Sequence, residues 1–248
     1  MMYLAHTAHL QFLGLATGFL AWILTMSTAG LNEWRLWYVD DVSVINSGVA
    51  WVGIWRVCFY THVLPQMEFC PRLSMSDSFL PVEIPVAQVL MALAMICGLA
   101  GNISGAVAMR MVYFTVVDRR NIRLVFILTG ILYLFTGSCS LVPLVWNMNS
   151  VLINSTIDFP PEFHLPVAPV RQQVGTAIVV GIFASILMFI SGLLFLSYKY
   201  ARHTLRSVAP RSTSNPLRGP WTVTTMAQRS NGVNQSSDNP SFLSEEVS

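Results

Sequence analysis

The stretch that decides the fold is 34-WRLWYVDDVSVINSGVAWVGIWRVCFYTHVLPQMEFC-70. Trp, Tyr, Val, Ile and Phe dominate it, interrupted by Asp40-Asp41, Asn46-Ser47-Gly48 and Leu64-Pro65-Gln66. Aromatic and β-branched residues suit a pleated, half-buried surface, and the interruptions are turn formers, so the composition is that of short strands joined by turns. Strands are expected near 34–39, 42–45, 50–61 and 67–71, the third bent or bulged at Gly53. Cys58 and Cys70 lie either side of the Pro65 turn, where they can face each other across a hairpin.

Outward from this stretch the chain turns apolar. It is 54% hydrophobic and 10% charged, against about 25% charged residues in soluble domains. Four runs carry no Asp, Glu, Lys or Arg: those between His9 and Glu33, Glu83 and Arg110, Arg123 and Asp158, and Arg171 and Lys199. Each exceeds the roughly 20 residues a helix needs to cross the hydrocarbon core. The third ends in a polar segment, 147–156, expected to project beyond the bilayer or to form an outer loop. The first run is too long for a signal peptide core and lacks a preceding Lys or Arg, so it reads as an uncleaved helix.

Basic residues orient the spans. Arg110, Arg119, Arg120 and Arg123 outweigh Asp118 between spans two and three, and Lys199, Arg202 and Arg206 follow span four. The positive-inside rule puts both clusters, and both termini, in the cytoplasm. The quoted stretch is then extracellular, within a first outer loop of about 33–83; a second spans about 147–171. The first holds three Arg against six carboxylates. Outside the cell Cys58 and Cys70 oxidise, whereas Cys97 and Cys139 lie within spans and read as free buried thiols. Gly14/Gly18, Gly101/Gly105 and Gly181/Ser185 are small-xxx-small pairs, which pack helices within a bundle or, alternatively, between copies. From 201 to 248 the chain is rich in Ser, Thr, Asn, Pro and Arg and reads as a disordered cytoplasmic tail.

Catalytic patterns are missing from the sequence. His6, His9, His62, His164 and His203 are scattered without metal-ligand spacing, and no phosphate loop or nucleophile elbow occurs. Neither an enzyme activity, a cofactor, a metal nor a nucleic-acid partner is expected. Asn154-Ser155-Thr156 is the one glycosylation sequon placed outside the cell, which makes Asn154 a candidate acceptor.

Trp34, Gly53-Ile54-Trp55, Cys58 and Cys70 in the first outer loop of a four-span chain resemble the W…GLW…C…C signature of the claudins and their tetraspan relatives. The likeness covers roughly residues 5–200 and includes Trp34-Arg35 at the end of span one, Leu80-Pro81 before span two, and Pro143, Trp146 and Asp158-Phe159 later. Departures mark a divergent member. Val52 stands where the signature has an acidic residue, and Gln88 where an Arg is usual. The chain ends Glu245-Glu246-Val247-Ser248 rather than in Tyr-Val, so docking of the C-terminus to a PDZ scaffold is not expected.

The resemblance implies a mainly α membrane protein: a four-helix bundle over residues 1–200 with a small extracellular antiparallel β-sheet, four strands from the first loop and one from the second. It implies a tight-junction strand component at the plasma membrane, polymerising with identical copies and other claudins in the same and opposing membranes and contacting membrane lipid. Trp34, Gly53, Ile54 and Trp55 would anchor the sheet. The alternative is an auxiliary channel subunit or myelin-type membrane organiser of the same fold. If the sheet lines a pore, Asp40 and Asp41 favour cations and Arg72 opposes them.

Overall fold

The computed structural model describes residues 2–40, 48–60, 68–114, 119–163 and 169–208; for 2–8, 114, 119–120, 162 and 198–208 it describes the backbone alone. Four helices carry the fold: α1 Met2–Gly30, α2 Glu83–Phe114, α3 Arg119–Leu152 and α4 Thr176–Val208. Their segments His9–Gly30, Glu83–Tyr113, Asn121–Leu152 and Thr176–Ser197 are long and apolar enough to cross a membrane. Phe12, Ile96, Leu128 and Leu193 stand exposed on the outside of the bundle. In water such a surface would aggregate, whereas in lipid it is the solvent-facing side.

The helices form a ring in which α1 packs on α2 and α4, and α3 on α2 and α4. Small residues set the spacing. A Cβ on Gly18 would lie 2.6 Å from the Tyr133 ring and 2.7 Å from Ser191 Oγ, and one on Gly105 would lie 2.9 Å from Leu15. Ser185 and Ser140 share a buried hydrogen bond of 2.9 Å. The small-xxx-small pairs therefore pack the bundle itself, as the simpler reading had it. Some polar groups in the core also bond between helices: Trp22 Nε1 donates to the Met95 carbonyl at 2.9 Å and Tyr133 Oη to Asn102 Oδ1 at 2.8 Å, whereas Asn102 Nδ2 and Gln11 Nε2 are buried without a partner among the described residues.

Five short strands follow: β1 Arg35–Tyr38, β2 Val49–Val52, β3 Val57–Tyr60, β4 Glu68–Phe69 and β5 Arg171–Val174. They form one antiparallel sheet in the order β4-β3-β2-β1-β5, four strands from the first loop and one from the second. One expectation is corrected. Residues 50–61 are not a single bulged strand but β2 and β3 with a tight turn between them, closed by the Gly53 amide donating to the Arg56 carbonyl at 3.0 Å. The strand expected at 42–45 and the Pro65 turn lie outside the described residues.

Alternation along the strands gives the sheet two faces. Trp37, Val52, Val57 and Phe59 point inward and pack with Leu80, Ile84, Ile157 and Phe159, the Trp37 and Phe159 rings meeting edge to face at 5.0 Å. Arg56, Tyr60 and Trp51 belong to the opposite, outer face, where the Trp51 and Tyr60 rings meet at 5.8 Å.

α3 continues through the polar segment to Leu152. Its end is a Schellman cap: Asn154 sits at φ 53°, its amide donates to the Val151 carbonyl, and the Ser155 amide to that of Ser150. Asn is one of the few side chains that tolerate this conformation. At the other end of the chain, α4 runs to Val208, past the change of composition at Ala201; residues 209–248 lie outside the described residues.

Candidate functional site

The outer sheet is the candidate site, and its position depends on how it is fixed to the bundle. Every helix supplies a contact. Trp34, 1% exposed, donates from Nε1 to the Thr28 carbonyl at 2.9 Å, tying β1 to the last turn of α1. Trp34 and Ile54 are buried among Ala29, Ala87, Met91, Leu144, Ala177 and Ile178, which come from all four helices, with Trp55 packed at the margin. Amphipathic aromatic rings at this level match the preference of Trp for the membrane–water boundary.

Gly53 is constrained by space rather than by dihedral angle. A Cβ there would lie 3.0 Å from Asn32 Cα and 3.1 Å from the Arg56 carbonyl oxygen. That close approach brings the Ile54 carbonyl over α2, where buried Gln88 Nε2 donates to it at 2.6 Å and to the Leu73 carbonyl at 3.3 Å. Gln88, noted above only as a departure, therefore carries two carbonyls that would otherwise be buried without a donor.

The strongest attachment escaped the sequence reading. Arg35, 1% exposed, reaches from β1 into the top of the bundle. Its Nη2 contacts Glu83 Oε1 at 3.1 Å and Asn147 Oδ1 at 2.7 Å, while Ser150 Oγ donates to the same carboxylate oxygen at 2.7 Å. Burial pulls the Arg35 pKa below the usual arginine range, and the hydrogen bond and charge of Glu83 act the other way. Such further hydrogen bonds help to offset the cost of burying an ion pair, although Arg35 Nη1 is itself buried without a partner among the described residues. The signal was present: Arg35 follows the signature Trp, and Glu83 is the last charge before span two. Both read as loop residues because charges at loop ends are usually solvated.

α4 is fixed by backbone. The Gly175 amide donates to the Trp34 carbonyl at 3.0 Å and the Ala177 amide to the Glu33 carbonyl at 3.1 Å, and a Cβ on Gly175 would fall 1.9 Å from the Glu33 oxygen. No residue but glycine fits between β1 and α4 there.

Cys58 and Cys70 are bonded, as expected, and Cys97 and Cys139 are free, Cys139 buried as expected but Cys97 only partly so. The bridge lies on the outer face between β3 and β4. Glu68 comes within 4.8 Å of both sulfurs, but sulfurs bonded to each other are not metal ligands.

The candidate pore charges are separated. Asp40 is exposed just past β1, at the end of the sheet away from the helices, near Arg171, whose backbone pairs with Tyr38. Arg72 is exposed at the opposite, helix-proximal end, paired with Arg56. Asp41 lies outside the described residues. Asn154 is exposed beyond the sheet core, at the α3 cap.

The comparisons agree with this architecture. Residues 19–197 match the family described as PMP-22/EMP/MP20/Claudin tight junction. Claudin-3 of Rattus norvegicus is 27% identical over 224 residues, covering 87% of this chain and 94% of the relative. Claudin-5 of Homo sapiens is 27% identical over 76% of this chain and 82% of the relative, and claudin-17 of Sus scrofa 26% over 74% and 77%. With four membrane-length helices, a disulfide-bonded five-stranded sheet and a match over most of its length, the chain is a multi-pass membrane protein that belongs to the PMP-22/EMP/MP20/Claudin tight-junction family.

Proposed function

We propose that this protein is a tight-junction strand subunit that presents its sheet to identical copies and to other claudins, beside it in one membrane and across the intercellular gap. The observation that carries this reading is the sheet's attachment to all four helices, in a chain whose similar relatives are claudins. A platform fixed through buried hydrogen bonds keeps one orientation, which a polymer of identical contacts requires. That all the relatives named above are claudins favours this reading over the auxiliary channel subunit. A direct test is imaging of mixed cell cultures: the protein is expected to concentrate where two expressing cells touch and not where an expressing cell meets a non-expressing one. Uniform distribution around the cell would contradict it.

The charge pattern supports a barrier with a weak cation preference. Arg35 and Glu83 neutralise each other in the interior, which leaves five carboxylates and two arginines on the first loop. The acidic pair Asp40-Asp41 would raise the local cation concentration over about one Debye length, ~8 Å at physiological salt. Arg72 opposes it from the far end of the sheet. Dilution potentials across monolayers test this: Asp40→Asn with Asp41→Asn should lower sodium-over-chloride permeability and Arg72→Gln should raise it. No change in either at matched surface expression would leave a pure barrier.

A further inference from the structure

We propose that Arg56 and Arg72 form a two-guanidinium clamp for the phosphate of an outer-leaflet phospholipid. The two residues face each other across an isolated antiparallel bridge. The Leu73 amide donates to the Trp55 carbonyl at 2.8 Å and the Val57 amide to the Pro71 carbonyl at 3.0 Å, so the bonds flank the pair rather than join it. This is the non-hydrogen-bonded type, in which Cα atoms are about 4.5 Å apart and side chains on one face come closest. Both arginines are exposed. Like charges directly opposite are destabilising, and no carboxylate among the described residues pairs with either arginine. The one ion pair among the described residues is Arg35 with Glu83. Glu68, on the same face, lies beyond the disulfide, roughly 13 Å along the strands from Arg72. An anion held between the two guanidinia removes the repulsion, and a phosphate oxygen pair matches the planar donor fork.

Position identifies the anion. Arg56 Nε donates to Asn32 Oδ1 at 2.9 Å, and Asn32 Nδ2 lies 3.2 Å from Cys58 Sγ. Asn32 is two residues beyond Gly30, where the first membrane-length segment ends. Two residues span about 3 Å in a helix and at most ~7 Å extended. The polar layer on each side of the hydrocarbon is itself roughly 5–7 Å deep. The Arg56 guanidinium is thus held at the level of lipid phosphates, next to Asn32, whose chain neighbour Leu31 is 40% exposed. With a phosphate bound, Arg72 contributes no free charge to a conducting path, so the clamp predicts no change in dilution potential for Arg72→Gln, unlike the pore role given to Arg72 above.

The test is native mass spectrometry of the full-length protein in detergent micelles with added phosphatidylcholine, comparing wild type, R56Q/R72Q and R171Q. Arg171 is exposed at the other end of the sheet and serves as the charge control. Wild type and R171Q should retain one phosphatidylcholine that R56Q/R72Q binds at least about tenfold more weakly, the scale of losing charged hydrogen bonds. Phosphate-free diacylglycerol should not distinguish the variants, and millimolar inorganic phosphate should not displace the lipid. If R56Q/R72Q does not form its Cys58–Cys70 disulfide, R56Q and R72Q are measured singly, each with a several-fold loss expected. Equal retention by all variants overturns the proposal. So does ready displacement by inorganic phosphate, which would make this a soluble-anion site, or loss of copy-to-copy association at unchanged lipid occupancy.

Discussion

Replacing Arg35 by Met should be among the most damaging single changes in the protein. The substitution keeps an unbranched chain but leaves Glu83 Oε1 facing Ser150 alone and Asn147 Oδ1 without its 2.7 Å donor. Removing one member of a buried ion pair costs about 3–5 kcal/mol, because the remaining charge is stranded in a poor solvent for it. Glu83→Met should cost a similar amount. Removing both charges together eliminates that term, so R35M/E83M should lose no more than about 2 kcal/mol, the worth of the hydrogen bonds left unmade at Asn147 and Ser150. The singles should therefore not add, with a coupling of several kcal/mol. Melting of detergent-purified protein, followed by tryptophan fluorescence, measures this. By the scaling for soluble proteins of 150–250 residues, each single variant should fall by roughly 6–20 °C and the double by much less. Additive losses, or singles within about 1 kcal/mol of wild type, would show that the pair is solvated and that the sheet is held by its apolar contacts alone.

Gly175→Ala should prevent surface delivery, since its Cβ would fall on the Glu33 carbonyl; normal delivery measured by surface biotinylation would show that β1 and α4 can separate. Cys58→Ser should cost about 2–5 kcal/mol and reduce delivery, and peptide mapping of the wild type without reductant should find Cys58 linked to Cys70 and neither Cys97 nor Cys139 in a disulfide. A peptide ending in Val247-Ser248 should not bind junctional PDZ domains, whose groove takes an apolar last side chain; tight binding abolished by deleting those two residues would refute this.

The features legible in the sequence are those that repeat or exclude. Four charge-free runs cannot be anything shorter than membrane-length helices, and two cysteines flanking a turn in an oxidising compartment have one natural partner each. Features set by a single close approach were not legible. Val52-Gly53-Ile54-Trp55-Arg56 lacks the Asn-Gly or Pro-Gly pair that marks a reversal, and only the packing of Gly53 on Asn32 shows why the chain turns there. Gly175 looks like an ordinary helix-start glycine until Glu33 is placed against it. Arg35 and Glu83 are 48 residues apart, and no local pattern distinguishes a buried charge from a solvated one; the tertiary contact alone decides.

The central claim is that the bundle holds the sheet as a polymerising surface. Freeze-fracture electron microscopy of cells that lack other claudins, expressing this chain alone at the plasma membrane, tests it most directly. The account predicts continuous intramembrane strands at cell contacts for the wild type, and their loss for R35M at matched surface density. Wild-type protein that reaches the surface, forms no strands and co-purifies with an ion channel would contradict it.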